Sequence, residues 1–339
     1  AKNYENVTIL SEPSQYELFL KETKKNNSTS KTFRECCAKL AFENTAFYEA
    51  VISNWFNKDE NHYCKEKITI PLKKISQLRY GENPHQKAAL FRFGTNKFEK
   101  ISGKELSYNN IHDLEIAIEL AEQFSIASCV ILKHGNPCGV ALDASQEKAY
   151  SKALQCDRVS AFGGIVAFNR KLSIETAKKI NNLFTEVVIA PGFSYESKKL
   201  LSQKKNLVLV EYISSKIKTK LHFKSSRNFL LLQNKDNKVI TRKNIIIKTR
   251  KKPKEKTIED MIFAFVVSKY VNSNAIVLVQ DLATKGIGVG QTSRFDSAQQ
   301  AIKKMKSNFK KSNPVLASDG FFPFPDIVKL CSKHNISGI

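Results

Sequence analysis

An adjacent lysine and histidine, Lys133 and His134, are the residues of this chain best suited to group-transfer chemistry. They follow the apolar run 129–132 and precede the Gly/Pro segment 135–139, which places them at the end of a buried strand, where open α/β sheets bind ligands. A neutral imidazole can accept the proton of an attacking amine, and a nearby ammonium stabilises a developing oxyanion. The pair suits acyl transfer. A polar strand end with a hydrogen-bonded histidine explains the same residues equally well.

A zinc-dependent deaminase is the nearest competing chemistry, because its signature also places Pro-Cys after a short motif with His and Glu. Here Pro137 and Cys138 follow His134, but the glutamate is missing and Ala141 stands where the second cysteine belongs. The seven cysteines of the chain form no Cys-x-x-Cys pair. We therefore expect no metal site, and free thiols in a reducing compartment.

Four further segments carry glycine or polar residues that could contribute to a site, namely 78–86, 160–164, 286–294 and 317–326. The glycines at 286–290 could bring backbone N–H groups to a phosphate, but a lone glycine repeat more often marks a bend in a strand. The aromatic run 321–324 is either core packing or a surface for a planar heterocycle. Each segment alone leaves both interpretations open.

The elements that position these residues alternate between helix and strand, which predicts a layered α/β fold. The predicted helices are 112–124, 146–156, 174–184, 258–270 and 297–306, and the predicted strands are 129–132, 164–168, 187–190, 207–210, 275–279 and 286–289. Segments 129–141 and 274–291 both run from a buried strand into a turn that contains glycine. This similarity indicates a duplicated α/β unit.

The first part of the chain is predicted to form a separate short unit, residues 1–57, with a strand at 7–10 and helices at 13–21 and 32–56. A polar linker at 58–67 follows it. The main domain, residues 68–339, is predicted to open with a strand at 68–72.

The net charge of +23 raises the possibility of nucleic-acid binding. Residues 216–256 hold 15 Lys or Arg against two acidic residues, so the excess charge is concentrated in one run. The run lies beside no RNA-binding aromatic signature, which favours a solvated surface over a nucleic-acid site. With no apolar stretch near the ~18 residues of a membrane span and no signal peptide, we expect a cytoplasmic protein without membrane contact.

Taken in order, the segments 78–86, 132–139, 160–164, 286–294 and 317–326 resemble the transformylase domain of the bifunctional AICAR transformylase/IMP cyclohydrolase family, where AICAR is aminoimidazole carboxamide ribonucleotide. The resemblance runs from about Ile68 to the end. Residues 1–3 and 34–56 resemble the tail of the cyclohydrolase domain. The implied fold is two tandem cytidine-deaminase-like units after the tail of a methylglyoxal-synthase-like domain. The chain is then expected to lack most of the cyclohydrolase domain and the extreme C-terminus.

The resemblance also implies roles for individual residues. The catalytic residues would be Lys133, His134 and Asn274; the AICAR-binding residues Arg79, Tyr80, Asn110, Phe162, Gly163, Glu186 and Arg294; and the folate-binding residues Phe321, Pro323 and Asp326. Lys2 matches a catalytic lysine of the cyclohydrolase domain. The chain departs from the family pattern at Pro325, where Arg is expected, and at Glu186, where some members carry Asp.

The activity implied by the resemblance is transfer of a formyl group from 10-formyltetrahydrofolate to the 5-amino group of AICAR. A monovalent cation such as K+ and a homodimer are also implied. The full-length parent would close formyl-AICAR to inosine monophosphate. We do not expect ring closure by the chain as given, because the residues that would surround the substrate beside Lys2 belong before Ala1.

Overall fold

A computed structural model describes residues 1–57, 65–92, 98–213 and 221–339 of the chain. These residues form two units. The smaller unit comprises residues 1–57, 65–76, 90–92 and 221–235, and the larger comprises residues 77–89, 98–213 and 236–339. The linker prediction at 58–67 lies largely outside the described residues, as do positions 216–220 of the basic run.

The helices and strands of the described residues are as follows. The α-helices are α1 (Tyr16–Asn26), α2 (Lys31–Phe56), α3 (Tyr108–Ala121), α4 (Gln146–Cys156), α5 (Arg158–Ala161), α6 (Ile174–Ile180), α7 (Tyr195–Leu201), α8 (Glu255–Ser268), α9 (Arg294–Asn308) and α10 (Asp326–Lys333). The strands are β1 (Lys73–Gln77), β2 (Ala89–Arg92), β3 (Phe98–Ser102), β4 (Ser128–Lys133), β5 (Asn136–Leu142), β6 (Ile165–Phe168), β7 (Val187–Ala190), β8 (Val208–Tyr212), β9 (Leu221–Ser226), β10 (Phe229–Asn234), β11 (Ile276–Gln280), β12 (Ala283–Gly288) and β13 (Val315–Ser318).

The smaller unit contains α1, α2 and the antiparallel hairpin of β9 and β10. Helix α2 begins after Ser30, whose hydroxyl accepts the amide proton of Phe33, and it matches the predicted helix within one residue. The strand predicted at 7–10 is wrong, because this segment pairs with no described strand. The strand predicted at 68–72 is also wrong: strand pairing starts only at Lys73, and Pro71 has no amide proton to give a ladder.

The larger unit is built on one mixed sheet of nine strands, in the order β13-β11-β12-β5-β4-β6-β7-β8-β3. Only the β6–β7 and β7–β8 pairs are parallel, so the predicted alternation of helices and strands does not give an all-parallel sheet. Helices cover both faces. Side chains of β4 alternate between them: Val130 and Leu132 belong to the core cluster that includes residues of α3 and α8, while Cys129 and Ile131 belong to the cluster that includes residues of α4 and α6.

Two parts of the larger unit repeat the same arrangement of helix, antiparallel hairpin and helix. The first is α3-β4-β5-α4 and the second is α8-β11-β12-α9. Gly139 lies opposite Ile131 in the first hairpin, and Gly286 lies opposite Leu278 in the second. The hairpins meet at β5 and β12, where the Thr284 hydroxyl accepts the amide proton of Val140. The similarity of 129–141 and 274–291 in sequence is therefore a repeat in structure.

Close approach of strand to helix explains the glycine at the repeated position, and it allows a test of stability. A Cβ added to Gly139 would lie 2.0 Å from the carbonyl oxygen of Ala153 in α4. Gly139→Ala is expected to lower the free energy of unfolding by about 1–3 kcal/mol, because backbone must shift to admit the methyl group. Urea unfolding measures this change. The matched control is Gly192→Ala, whose Cβ would find its nearest neighbour at 3.7 Å; equal losses in both variants would contradict the explanation.

Candidate active site

The Lys-His pair lies at the tip of the hairpin between β4 and β5. Lys133 ends β4 opposite Asn136, and His134 and Gly135 form the two-residue turn. Their φ angles are +52° and +71°, as in the mirror-image turns that suit the twist of a hairpin. The pair lies at a strand end, as predicted. However, β4 and β5 form an antiparallel hairpin, whereas the expectation of a ligand site at a strand end comes from sheets with parallel crossover connections.

A buried carboxylate holds the backbone of this turn. Asp113 of α3 accepts the amide proton of His134 at 2.9 Å with Oδ2 and that of Gly135 at 2.6 Å with Oδ1. Burial raises the pKa of Asp113, and the two N–H donors oppose that rise. The side chain of His134 is exposed, so the backbone is anchored while the imidazole faces solvent.

Lys133 is oriented by the loop after α5. Its Nζ donates to the carbonyl oxygen of Phe162 at 2.7 Å. Gly163, at φ +73°, is a neighbour of this lysine: a Cβ built on it would lie 3.9 Å from Nζ, an ordinary van der Waals distance. Phe162 is 56% exposed and lies against Phe184 with ring centroids 5.2 Å apart. Lys133, Phe162 and Gly163 therefore lie together, with the Phe162 side chain more than half exposed.

A partly buried ion pair fixes the short helix α5 that leads to this loop. Asp157 caps α5 by accepting from the amide of Ser160 at 2.9 Å, and Lys304 of α9 donates to its other oxygen at 2.6 Å. Burial alone would raise the pKa of Asp157, but Lys304 and Ser160 hold it below its usual range. The second repeat thus supports the loop that contacts Lys133.

Asn110 and Glu186 form a second polar pair. Asn110 belongs to the N-terminal capping box of α3 with Ser107, and its Nδ2 donates to Glu186 Oε2 at 3.0 Å. Lys104 Nζ lies 4.0 Å from the other Glu186 oxygen. Because α3 carries both Asn110 and Asp113, one helix positions this pair and the hairpin turn.

Asn274 and Arg294 are brought together by Asp319 at the end of β13. Its carboxylate accepts from the amide of Ala275 at 3.1 Å, from Arg294 Nη2 at 3.3 Å and from the hydroxyl of Ser273. Burial acts to raise the pKa of Asp319, and these donors hold it below its usual value. Asn274 itself donates from Nδ2 to the Gln291 carbonyl oxygen at 2.8 Å.

Asn136 links the Lys-His turn to the segment that contains Asn274. Its Oδ1 accepts the amide proton of Asn272 at 2.9 Å, and its Nδ2 donates to the carbonyl oxygen of His134 at 3.1 Å. The segment that contains Asn274 is therefore a direct neighbour of the Lys-His turn. Sequence reasoning assigned no role to Asp113, Asn136 or Asp319; the last two stand within quoted motifs, which was the available signal.

The remaining predicted site residues make local contacts in the described part of the chain. Arg79 Nη2 donates to the hydroxyl of Tyr80 at 2.7 Å, and the carbonyl of Tyr80 accepts from the first residue of α3. Phe321 is 82% exposed, Pro323 is exposed, and Asp326 begins α10. Phe322, in contrast, packs against the core cluster of α9 and α10, so core packing explains this residue, and the binding of a planar heterocycle by the exposed Phe321 stays a prediction.

Lys2 lies exposed in the smaller unit, and the other predicted site residues lie in the larger one. Among residues 1–57, 65–92, 98–213 and 221–339, no three His, Cys, Asp or Glu side chains are grouped as metal ligands would be. No helix in that part of the chain combines the length and the apolar character needed to cross a membrane.

The larger unit is a mixed α/β unit that brings a lysine, a histidine and an asparagine to adjoining loops, the set of groups predicted for a group-transfer enzyme. Residues 1–304 match the model of the AICARFT/IMPCHase bienzyme. The chain is 43% identical to the bifunctional purine biosynthesis protein PurH of Thermoanaerobacter sp., 42% to that of Caldicellulosiruptor saccharolyticus and 41% to that of Persephonella marina. Each match covers 100% of this chain and 67%, 67% and 68% of the respective relative. The chain belongs to the AICARFT/IMPCHase bienzyme family.

The family assignment confirms the predicted resemblance and the predicted enzyme class, an AICAR formyltransferase/IMP cyclohydrolase family enzyme of purine biosynthesis. Membership of this family gives the chain AICAR transformylase activity, which is folate-dependent formyl transfer. The predicted α/β class is confirmed as a mixed α/β fold with a large mixed sheet.

Proposed function

We propose that the larger unit transfers the formyl group of 10-formyltetrahydrofolate to the 5-amino group of AICAR at the Lys133-His134 turn. The observation that carries the proposal is the Asn136 bridge, which joins the turn to the segment that contains Asn274. The bridge supports a site in which His134 would be the base, Lys133 the cation and Asn274 the amide donor. This is the set of groups that acyl transfer to a weakly nucleophilic amine requires.

In the proposed reaction, the amine nitrogen of AICAR attacks the formyl carbon while His134 accepts the amine proton. Lys133 and Asn274 stabilise the negative charge on the formyl oxygen. Collapse of the tetrahedral intermediate forms the amide, breaks the bond from carbon to N10 of the folate, and returns the proton from His134 to that nitrogen. The Phe162 carbonyl orients the lysine ammonium before substrate binds, which reduces the reorganisation that the reaction requires.

The substrate contacts are proposed residue by residue. Arg79, Tyr80, Asn110, Phe162, Gly163, Glu186 and Arg294 would bind AICAR, and Phe321, Pro323 and Asp326 would bind the folate. The exposed ring of Phe321 suits a planar heterocycle, and the positive charge of Arg79 and Arg294 suits the ribonucleotide phosphate. A monovalent cation such as K+ is part of the same proposal.

The wider organisation is also proposed. Residues 1–57 would be the tail of the cyclohydrolase domain with Lys2 as its remnant, residues 58–67 a linker, and residues 68–339 the transformylase domain. The repeated helix–hairpin–helix arrangement supports two cytidine-deaminase-like units within that domain. A homodimer and ring closure to inosine monophosphate by the full-length parent complete the proposal.

Release of tetrahydrofolate by the purified protein tests the function. We expect release that requires AICAR, accompanied by formyl-AICAR in equal amount, because the formyl group passes directly between the two substrates. Reactions without AICAR, and with AICAR but without the folate, are the controls. Release of formate in place of formyl-AICAR would contradict the proposal.

A further inference from the structure

Both hairpins of the repeat end in a two-residue turn with positive φ at each residue. The values are +52° and +71° at His134 and Gly135, and +57° and +52° at Asp281 and Leu282. Residues other than glycine reach this region at a cost of about 1–2 kcal/mol, so each turn needs a compensating interaction. The second turn, with no glycine, needs it most.

The compensating interaction is the same in both repeats. Asp113 of α3 accepts the two amide protons of the first turn at 2.9 and 2.6 Å, and Asp260 of α8 accepts those of the second at 3.1 and 2.7 Å. The residues are 7% and 6% exposed. Each helix thus supplies one buried carboxylate that holds one turn through two charge-assisted hydrogen bonds.

The two turns differ in what they present. The first carries Lys133 and His134. In the second, Gln280 accepts hydrogen bonds from Ser312 and Asn313, and Asp281 pairs with Lys256. The second turn therefore has the same backbone support but no adjacent lysine and histidine.

We propose that Asp113 is a positioning residue for formyl transfer, which fixes His134 through the backbone of the turn, whereas Asp260 supports only the fold. The inference rests on the proposed function of the Lys-His turn. Asp113 contacts no reacting atom; it holds the two turn amides from inside the unit while the imidazole remains exposed. A small displacement of the turn would move the imidazole relative to the amine whose proton it accepts.

The matched substitutions Asp113→Asn and Asp260→Asn test this assignment. In each, one acceptor oxygen becomes an NH2 group that faces an N–H donor, so one hydrogen bond is lost. We expect kcat of Asp113→Asn to fall about 10- to 100-fold with KM for AICAR nearly unchanged, since misplacement of about 1 Å can cost that much. Asp260→Asn should keep the wild-type kcat, and both variants should lose a similar amount of stability to urea.

Three results would overturn the assignment. They are a wild-type kcat in Asp113→Asn, an equal fall of kcat in Asp260→Asn, and failure of Asp113→Asn alone to fold, which would make its role structural. If both Asn variants fail to fold, the pair Asp113→Glu and Asp260→Glu gives the same comparison, because glutamate keeps both acceptors but displaces the turn. Absence of formyl transfer by the wild-type protein would refute the proposed function itself. Failure of the proposed function is therefore distinguishable from failure of the Asp113 assignment.

Discussion

His134→Ala is expected to lower kcat for formyl transfer by about 10²- to 10⁴-fold, because the variant has no group at the turn to accept the proton of the attacking amine. The rate of tetrahydrofolate release at saturating AICAR measures the effect. The matched control is Asp281→Ala, at the corresponding position of the second hairpin, which alters a turn of the same conformation. A rate near that of wild type in His134→Ala would remove the histidine from the mechanism.

Lys133 and His134 are expected to act as a unit, so their losses should not add. Lys133→Ala removes the ammonium that the Phe162 carbonyl orients. Since both side chains are proposed to stabilise the same transition state, the double variant should be only slightly slower than the worse single variant. Full additivity of the two losses would indicate that the residues serve separate steps.

Asn274→Ala is expected to lower kcat by about 10²- to 10³-fold, the effect of losing one donor to a developing oxyanion. An amide nitrogen has two protons; the Gln291 carbonyl oxygen accepts from Nδ2 and so fixes the plane of the side chain. The other proton is the one proposed to reach the formyl oxygen. KM for AICAR should change little, because this interaction strengthens only as charge develops.

The control for Asn274 is Asn272→Ala. Asn272 is exposed and takes part in the site through its backbone, which donates to Asn136 and accepts from Gly290. Its substitution keeps these bonds and should leave kcat near that of wild type. A comparable loss in Asn272→Ala would mean that the segment is sensitive to any change, and Asn274 would lose its assigned role.

Elements with a clear hydrophobic period were predictable from the sequence. Helix α4 and strand β7 match their predicted bounds, and α2 matches within one residue. Strand β5 was missed because Pro137 and Gly139 indicated a turn. Pro137 pairs with Leu132 beside a register shift of the hairpin, a place where a strand tolerates proline, and the glycine is required by the close approach of α4. In β5, tertiary packing against α4 therefore determines the conformation, although the local residue preferences favour a turn.

The proximity of Lys133 and His134 was predictable from the sequence, but the residues that hold the surrounding backbone in place were not. Lys133 and His134 stand together in the chain, so their proximity needed no structure. Asp113 binds the amide of His134, 21 residues later in the chain, and Asp319 binds the hydroxyl of Ser273 across 46 residues. Such contacts arise from the path of the sheet, which periodicity alone does not give.

The pairing of β5 with β12 has a consequence for how the protein acquires its shape. These strands lie side by side although the contact of Val140 with Thr284 spans 144 residues of chain. Contacts so distant in sequence close late and slow the search for the native topology. Until β12 arrives, the edge of β5 has unpaired amides and carbonyls, a template on which a second nascent copy could add its own strand. We therefore expect the pairing of β12 with β5 to disfavour self-association of the first repeat.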